Sequence, residues 1–220
     1  NKSGIVRTTN GGLNWNFVSP PDSFQNYNRM EFSNSTTGFA VGEHFDSNFA
    51  NGFMGLILRT TNGGSNWSRT NISDINNFQG VSFANSTTGI ACGTSNDPIP
   101  GAHFYKTTNA GASWFLLPFQ VDSALADGIS LVTGTGRGFV FGSKLQEDPE
   151  NPGFLKVSGY YINRTTDYGI SWHKSFYPDT ESILINSTDI DQNTWYISGG
   201  DFFKEKGVVL KTTNGGGPIG

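Results

Sequence analysis

Carboxylates gather in the polar stretches of this chain: Glu43, Asp46, Asp97, Glu147, Asp148, Glu150 and Asp201. Two facing carboxylates about 5–9 Å apart are what glycoside cleavage needs, one to protonate the leaving oxygen and one to attack or to activate water. Spread singly through loops, the same residues read as solvated charges. An arginine cluster for a substrate carboxylate is the next possibility. Arg7, Arg59, Lys106, Arg164 and Lys211, however, each stand directly before a Thr-Thr pair. That equivalence points to structural register, not to one pocket, and of the arginines only Arg29, Arg69 and Arg137 lie elsewhere. "DIDQN" (189–193) alternates like a calcium loop but lacks the glycine and distant glutamate that complete one, so turn chemistry accounts for it. His44, His103 and His173 share no spacing that would make a base or a metal set. Cys92 is the single cysteine, with neither a disulfide partner nor a cysteine metal site, and reads as a small buried residue. No catalytic residue, metal or cofactor is expected, and the chain reads as non-enzymatic.

These residues are carried by a repeat. "VRTTNGGLNW", "LRTTNGGSNW", "YKTTNAGASW" and "NRTTDYGISW" are followed by "LKTTNGGGPIG", the first threonines falling at 8, 60, 107, 165 and 212. The intervals of 52, 47, 58 and 47 residues suit propellers and similar arrays, whose units run to about 40–50 residues. A second motif lies between: "MEFSNSTTGFAVGE" recurs as "GVSFANSTTGIACGT", more loosely as "GISLVTGTGRGFVFGS", and as "STDIDQNTWYISGG". Each reads as strand, turn, strand. One unit is therefore four short antiparallel strands, A to D. Such a sheet cannot bury both faces alone, and stacking copies around an axis solves the problem as an all-β propeller.

The Thr-Thr-Asn turn joins C to D. Asn10, Asn62, Asn109, Asp167 and Asn214 can accept N–H groups across the turn begun by Thr8, Thr60, Thr107, Thr165 and Thr212. Gly12, Gly64, Gly111 and Gly169 supply positive φ, and Trp15, Trp67, Trp114 and Trp172 pack between neighbouring sheets. This unit resembles the Asp-box, or BNR, repeat and its relative the "TTDGG..W" propeller of photosystem II assembly factors; sortilin-like receptors, sialidases and some endoglucanases carry similar boxes. The resemblance covers nearly the whole chain, with Asn for the usual Asp in four copies. It implies a propeller in which the box is structural and lies away from any active site.

Counting strands gives C and D at the N-terminus, three full units, then A, B and a surplus C. The expected fold is four blades closed by pairing the terminal A–B hairpin with the N-terminal C–D hairpin; the alternative is five or more blades, truncated. The units run about 1–18, 25–70, 78–118, 126–176 and 183–213 in one domain, 1–214. Residues 215–220 read as a linker, and "GGGPIG" resembles the Gly-Pro junction before the sorting domain of type IX secreted proteins. That resemblance implies an extracellular or cell-surface chain.

In a meander the A–B and C–D turns share one side, and the B–C and D–A loops the other. The second side collects the long irregular segments and with them Phe45, Phe49, Phe53, Phe119, Phe154, Tyr177, Phe202 and Phe203, a candidate partner face for protein or for sugar rings. The turn side carries candidate glycosylation sites at Asn34, Asn85, Asn66, Asn71, Asn163 and Asn186. "DSA" resembles a short O-glycosylation motif at Ser123.

Composition agrees. The chain has 220 residues, 35% hydrophobic and 15% charged, with 29 glycines and 18 phenylalanines, the balance of a turn-dense β protein. Net charge is −4 with scattered basic residues, which argues against nucleic acid. No stretch approaches the roughly 18 apolar residues of a membrane helix. The expected function is a structural, assembly or adhesion module binding itself, as a homo-oligomer or filament subunit, or another surface protein, and possible glycans. The alternatives are a carbohydrate-binding or glycoside-cleaving propeller and an assembly-factor scaffold.

Overall fold

The computed structural model describes residues 4–21, 25–45, 52–72, 74–95, 100–178, 182–201 and 206–216. Phe49, Phe202 and Phe203 of the candidate face, and the acids Asp46 and Asp97, lie outside the described residues. Every regular element among the described residues is a β-strand. β1 (Ile5–Arg7) and β2 (Asn16–Val18) form a two-stranded hairpin. The first blade is β3 (Gln25–Phe32), β4 (Gly38–Phe45), β5 (Phe53–Thr60) and β6 (Ser68–Ile72); the second is β7 (Asn77–Phe83), β8 (Gly89–Ser95), β9 (Gly101–Thr107) and β10 (Phe115–Asp122). The third is β11 (Gly128–Leu131), β12 (Gly138–Glu147), β13 (Leu155–Thr165) and β14 (Phe176–Tyr177). The fourth has three strands, β15 (Ser182–Asp189), β16 (Trp195–Asp201) and β17 (Lys206–Thr212). Strands adjacent in sequence pair antiparallel within each blade, and the leading strands β3, β7, β11 and β15 converge on one axial cavity.

Interior blades are covered on both faces, so their strands are continuous apolar runs and do not alternate. Phe39, Ala40 and Val41 on β4 and Leu56, Ile57 and Leu58 on β5 are all fully buried. Alternate residues of one strand serve opposite seams. Ala40, Leu56 and Leu58 pack on Ile5 of the hairpin and on Trp67, whereas Phe39, Val41 and Ile57 pack on Phe78, Val81 and Tyr105 of the second blade. Ile90, Cys92 and Phe104 then meet Ile129, Val140 and Tyr161 of the third. Phe139 and Phe141 meet Leu184, Trp195 and Ile197 of the fourth. The two turns of each blade clasp along one edge, through Gly63 N to Thr36 O (2.8 Å), Ala110 N to Thr87 O (2.9 Å), Tyr168 N to Gly136 O (2.8 Å) and Gly215 N to Asn193 O (2.8 Å).

Four blades are present, but among the described residues the expected terminal pairing is not. β16 pairs with β17 from Trp195↔Thr212 to Asp201↔Lys206, and β1 pairs with β2 alone. The surplus strand has taken the third place in the last blade itself. Loop closure explains the outcome. Joining β16 to β17 closes a few residues, whereas joining β16 to β1 closes nearly the whole chain, at an added entropic cost of about 3 kcal/mol.

Candidate functional site

The Thr-Thr-Asn turns form the same network five times. Thr60 Oγ1 donates to Asn62 Oδ1 (3.0 Å) and accepts from Gly64 N (2.9 Å), and Asn62 Oδ1 accepts from Asn66 N (2.9 Å). The Thr–Asn/Asp and Gly–Thr bonds recur at Thr8, Thr107, Thr165 and Thr212. Gly12, Gly64, Gly111 and Gly169 have φ of 90°, 84°, 71° and 78°, and the residue before each is also left-handed, including Ala110 (55°) and Tyr168 (60°). The basic residue ahead of the turn reaches into the next blade: Arg7 Nε donates to Gly63 O at 2.6 Å and Arg59 Nε to Ala110 O at 2.7 Å. These side chains tie seams and do not build a pocket.

At the axis lies a cavity of about 200 Å³ lined by Asn28, Arg29, Gln79, Asp127, Asn186 and Ser187 among others. A register shift in three of the leading strands falls at Asn28, Gln79 and Ile185, and each of these residues lines the cavity, as expected of bulges that re-aim a side chain. Arg29 Nη1 donates to Asn186 Oδ1 at 2.8 Å, linking the first blade to the fourth. Around it the polar groups are spent between blades. Glu31 Oε1 accepts from Phe83 N (2.8 Å), Ser82 Oγ accepts from Leu131 N (3.0 Å), and Ser130 Oγ donates to Asp189 Oδ1 (2.7 Å). Burial raises Glu31 to about 7, against smaller opposing pulls from its bond to Phe83 N, from Ser82 and from Arg29. Burial likewise raises Asp127 to about 6, although Ser143 Oγ donates to it at 2.8 Å. The sequence reading missed both groups. The signal was there for Glu31, which stands where the second and third blades have Ser82 and Ser130.

The loop acids hold their own loops. Asp148 accepts from Glu150 N (3.1 Å) and Asn151 Nδ2 (2.8 Å) and pairs with Lys156 (3.1 Å), and those hydrogen bonds hold its carboxyl below the usual range. Glu147 accepts from Gly153 N (3.3 Å) and Glu43 from Asn26 Nδ2 (2.8 Å). Asp191 in "DIDQN" accepts from Asn193 N and Thr194 N, a turn cap. Burial lowers His103. No group of three His, Cys, Asp or Glu among the described residues is placed to hold a metal.

YCF48 from Cyanidioschyzon merolae superposes with a TM-score of 0.55 at 15% identity over 95% of this chain and 63% of its own. The Hadza microbial sialidase Hz136 gives 0.57 at 14%, over 98% of this chain and 50% of its own. The GH74 xyloglucanase from Xanthomonas campestris falls to 0.42 at 9%, over 91% of this chain and 40% of its own. The chain thus spans less than two thirds of each. The chain is a four-bladed β-propeller. No protein-family model and no curated protein matches it, and at these identities the likeness fixes the fold alone.

On the loop side of the propeller, Phe45 and Phe53 meet edge to face at 5.6 Å and remain about half exposed. Phe154 is 71% exposed. Tyr177 stacks on Tyr160 at 5.2 Å with one face open, beside exposed Phe176. Phe119 is a correction: its ring packs against both Phe104 (5.2 Å) and Trp172 (5.0 Å) in the seam between the second and third blades, with Lys174 above it, because β10 carries it past Pro118 as strand and not as loop.

The seam tryptophans follow expectation where a sheet packs ahead of them. Trp67 is 9% exposed and Trp114 and Trp172 pack on the seam cores, but Trp15 is 60% exposed, because the hairpin has no described sheet on its outer side. A cavity of about 460 Å³ beside the fifth Thr-Thr-Asn turn is lined by Ile162, Arg164, Tyr177, Trp195, Leu210 and Gly216 among others. It stands where Trp172 stacks on Phe104 one seam earlier.

Among the candidate glycosylation sites, Asn34, Asn85 and Asn66 lie on exposed turns. Asn34 and Asn85 spend their Oδ1 on the N–H groups of Thr36 and Thr37, and of Thr87 and Thr88, leaving Nδ2 outward of those bonds. Asn163 is a correction, being 2% exposed with its Oδ1 accepting from Ser175 N. Asn186 faces the axial cavity and not the turn side. Ser123 is half-buried with φ of 48°.

Proposed function

We propose that this propeller is a non-enzymatic extracellular module for assembly or adhesion, docking on protein surfaces through its loop side. One observation carries the reading: Phe45, Phe53, Phe154 and Tyr177 stand exposed on that side, while Glu31, Asp189 and the basic residues Arg7 and Arg59 are spent on bonds between blades. Exposed aromatics on a rigid scaffold suit protein contact, where such side chains provide most of the affinity. The resemblance of "GGGPIG" to a secretion junction supports placing the chain outside the cell. The test is self-association and surface adhesion of the full chain, by sedimentation and negative-stain microscopy over a concentration series, beside the double variant Phe45→Ser/Phe154→Ser. Loss of association or adhesion in a variant that melts like the parent supports the reading. An unchanged variant sinks it.

A second reading, carbohydrate binding or cleavage at the axis, is favoured by Asp127, which lines the axial cavity together with Arg29, Asn28 and Gln79 and whose carboxyl burial raises to about 6. Hz136, a fold neighbour, is a sialidase. Turnover of a panel of fluorogenic glycosides that disappears in Asp127→Asn would replace the first reading with this one.

A further inference from the structure

We propose that the axial cavity is a binding site for one neutral sugar ring, held through its hydroxyls and not cleaved. The inference rests on the carbohydrate reading of the axis and narrows it to binding.

All four blades contribute to the cavity, through Asn28 and Arg29 of β3, Gln79 of β7, Asp127 just ahead of β11 and Asn186 of β15. Its volume of about 200 Å³ lies below the roughly 300 Å³ at which drug-sized sites begin, which leaves room for a single ring. Three of the lining side chains spend one polar atom on the blades and leave another for a ligand. Asn28 Nδ2 donates to Asn77 Oδ1 (2.6 Å) and to Phe78 O (2.8 Å), so its Oδ1 is left as an acceptor. Asn186 Oδ1 accepts from Arg29 Nη1 (2.8 Å) and from Ser187 N (2.9 Å), so its Nδ2 is left as a donor. Asp127 Oδ2 accepts from Ser143 Oγ (2.8 Å), which leaves Oδ1. Gln79 brings a donor and an acceptor together.

Donors and acceptors thus face one space from different blades. A hydroxyl both donates and accepts, so a polyol matches such a rim at several points, whereas a carboxylate offers acceptors alone. Ile129 and Phe141 add an apolar wall for the C–H face of the ring. Charge points the same way. Arg29 is the one cation among the described lining residues and Asp127 the one acid, and Glu31 close by feels both Arg29 and Asp189. The axis therefore holds no surplus positive charge to draw in an anion. Cleavage would need two facing carboxyls. Among the described residues Asp127 alone lines the cavity with one, while Glu31 lies outside it and accepts from Phe83 N.

Isothermal titration and saturation-transfer NMR on the full chain test this, with methyl glycosides of glucose, galactose, mannose and N-acetylglucosamine beside glucuronic and galacturonic acids. At least one neutral glycoside should bind with the millimolar affinity expected of so small a ligand. The uronic acid of the same ring should bind at least about tenfold more weakly. Gln79→Leu and Ser187→Leu put apolar bulk into the cavity, and whichever melts like the parent should lose at least about tenfold in affinity. Chromatography after long incubation should find every glycoside intact. A uronic acid that binds more tightly than its neutral counterpart, or release of free sugar, overturns the proposal while the carbohydrate reading of the axis stands. Binding of no sugar in either set brings down both. Binding untouched by the two leucine variants but lost in Phe45→Ser/Phe154→Ser overturns the axial site and moves the sugar to the loop side.

Discussion

Arg59 of the first blade donates through Nε to the carbonyl of Ala110 in the second at 2.7 Å, the guanidinium reaching a turn whose left-handed residue points that oxygen back across the seam. The charge-assisted bond is partly buried, so Arg59→Met should cost about 1–2 kcal/mol in urea titration. Lys211→Met, at the same position in the last blade, should shift the monomer's midpoint by less than the error. Equal losses at both sites would show that the side chains act through general charge, not through the seam.

Thr60 and Thr8 make the same bonds in different surroundings. Thr60 is buried, so Thr60→Val strands the Gly64 N–H away from water, at about 1–3 kcal/mol. Thr8→Val leaves its N–H groups exposed to solvent and should cost less than half as much. Thermal melts of the two variants at equal concentration give the comparison.

Gly111 has φ of 71°, and a Cβ there would run into the ring of Phe39. Gly134 has nearly the same φ, 75°, with open space around it. Gly111→Ala therefore carries strain plus a clash, about 2–4 kcal/mol, against about 1 kcal/mol for Gly134→Ala. A reversed order in chemical denaturation would mean that Phe39 moves aside freely.

Stability should fall as pH rises from about 4.5 to 7. Glu31 is raised to about 7 and Asp127 to about 6. In that window the folded chain therefore retains protons the unfolded chain has released. Their contribution is fully present below the unfolded values and is lost through the folded ones. Glu31→Gln should flatten the upper part of the profile and stabilise the chain at pH 8 by about 1–3 kcal/mol, since the amide oxygen still accepts from Phe83 N. A melting temperature that climbs steadily across this range in the parent would contradict the shifts.

Much of the blade plan was legible, because each blade is a local meander and each Thr-Thr-Asn turn bonds within five residues. The register of Arg7 and Arg59 was legible for the same reason. Strand choice at the C-terminus was not: β1 and β17 carry nearly the same letters, and loop entropy decided between them. Phe119 was misplaced because a phenylalanine beside a proline in a D–A stretch looks like loop, whereas β10 continues past Pro118 and turns the ring into the seam. The axial groups stayed hidden because the bulges at Asn28, Gln79 and Ile185 break the alternation that would have placed them.

The separate pairing of β1–β2 and β15–β17 bears on how the chain comes to be folded. Among the described residues no ladder joins the two ends, so the first and fourth blades meet only through side chains at the axis, such as Arg29 with Asn186. Every ladder links strands adjacent in sequence, which keeps contact order low for an all-β protein and favours rapid acquisition of each sheet. A nascent chain can finish one blade before the next is made, and the finished face becomes the template for its successor. Unfolding should run the other way: amide hydrogen exchange is expected to begin in β1–β2 and β17 and to reach the doubly covered strands β8 and β9 last.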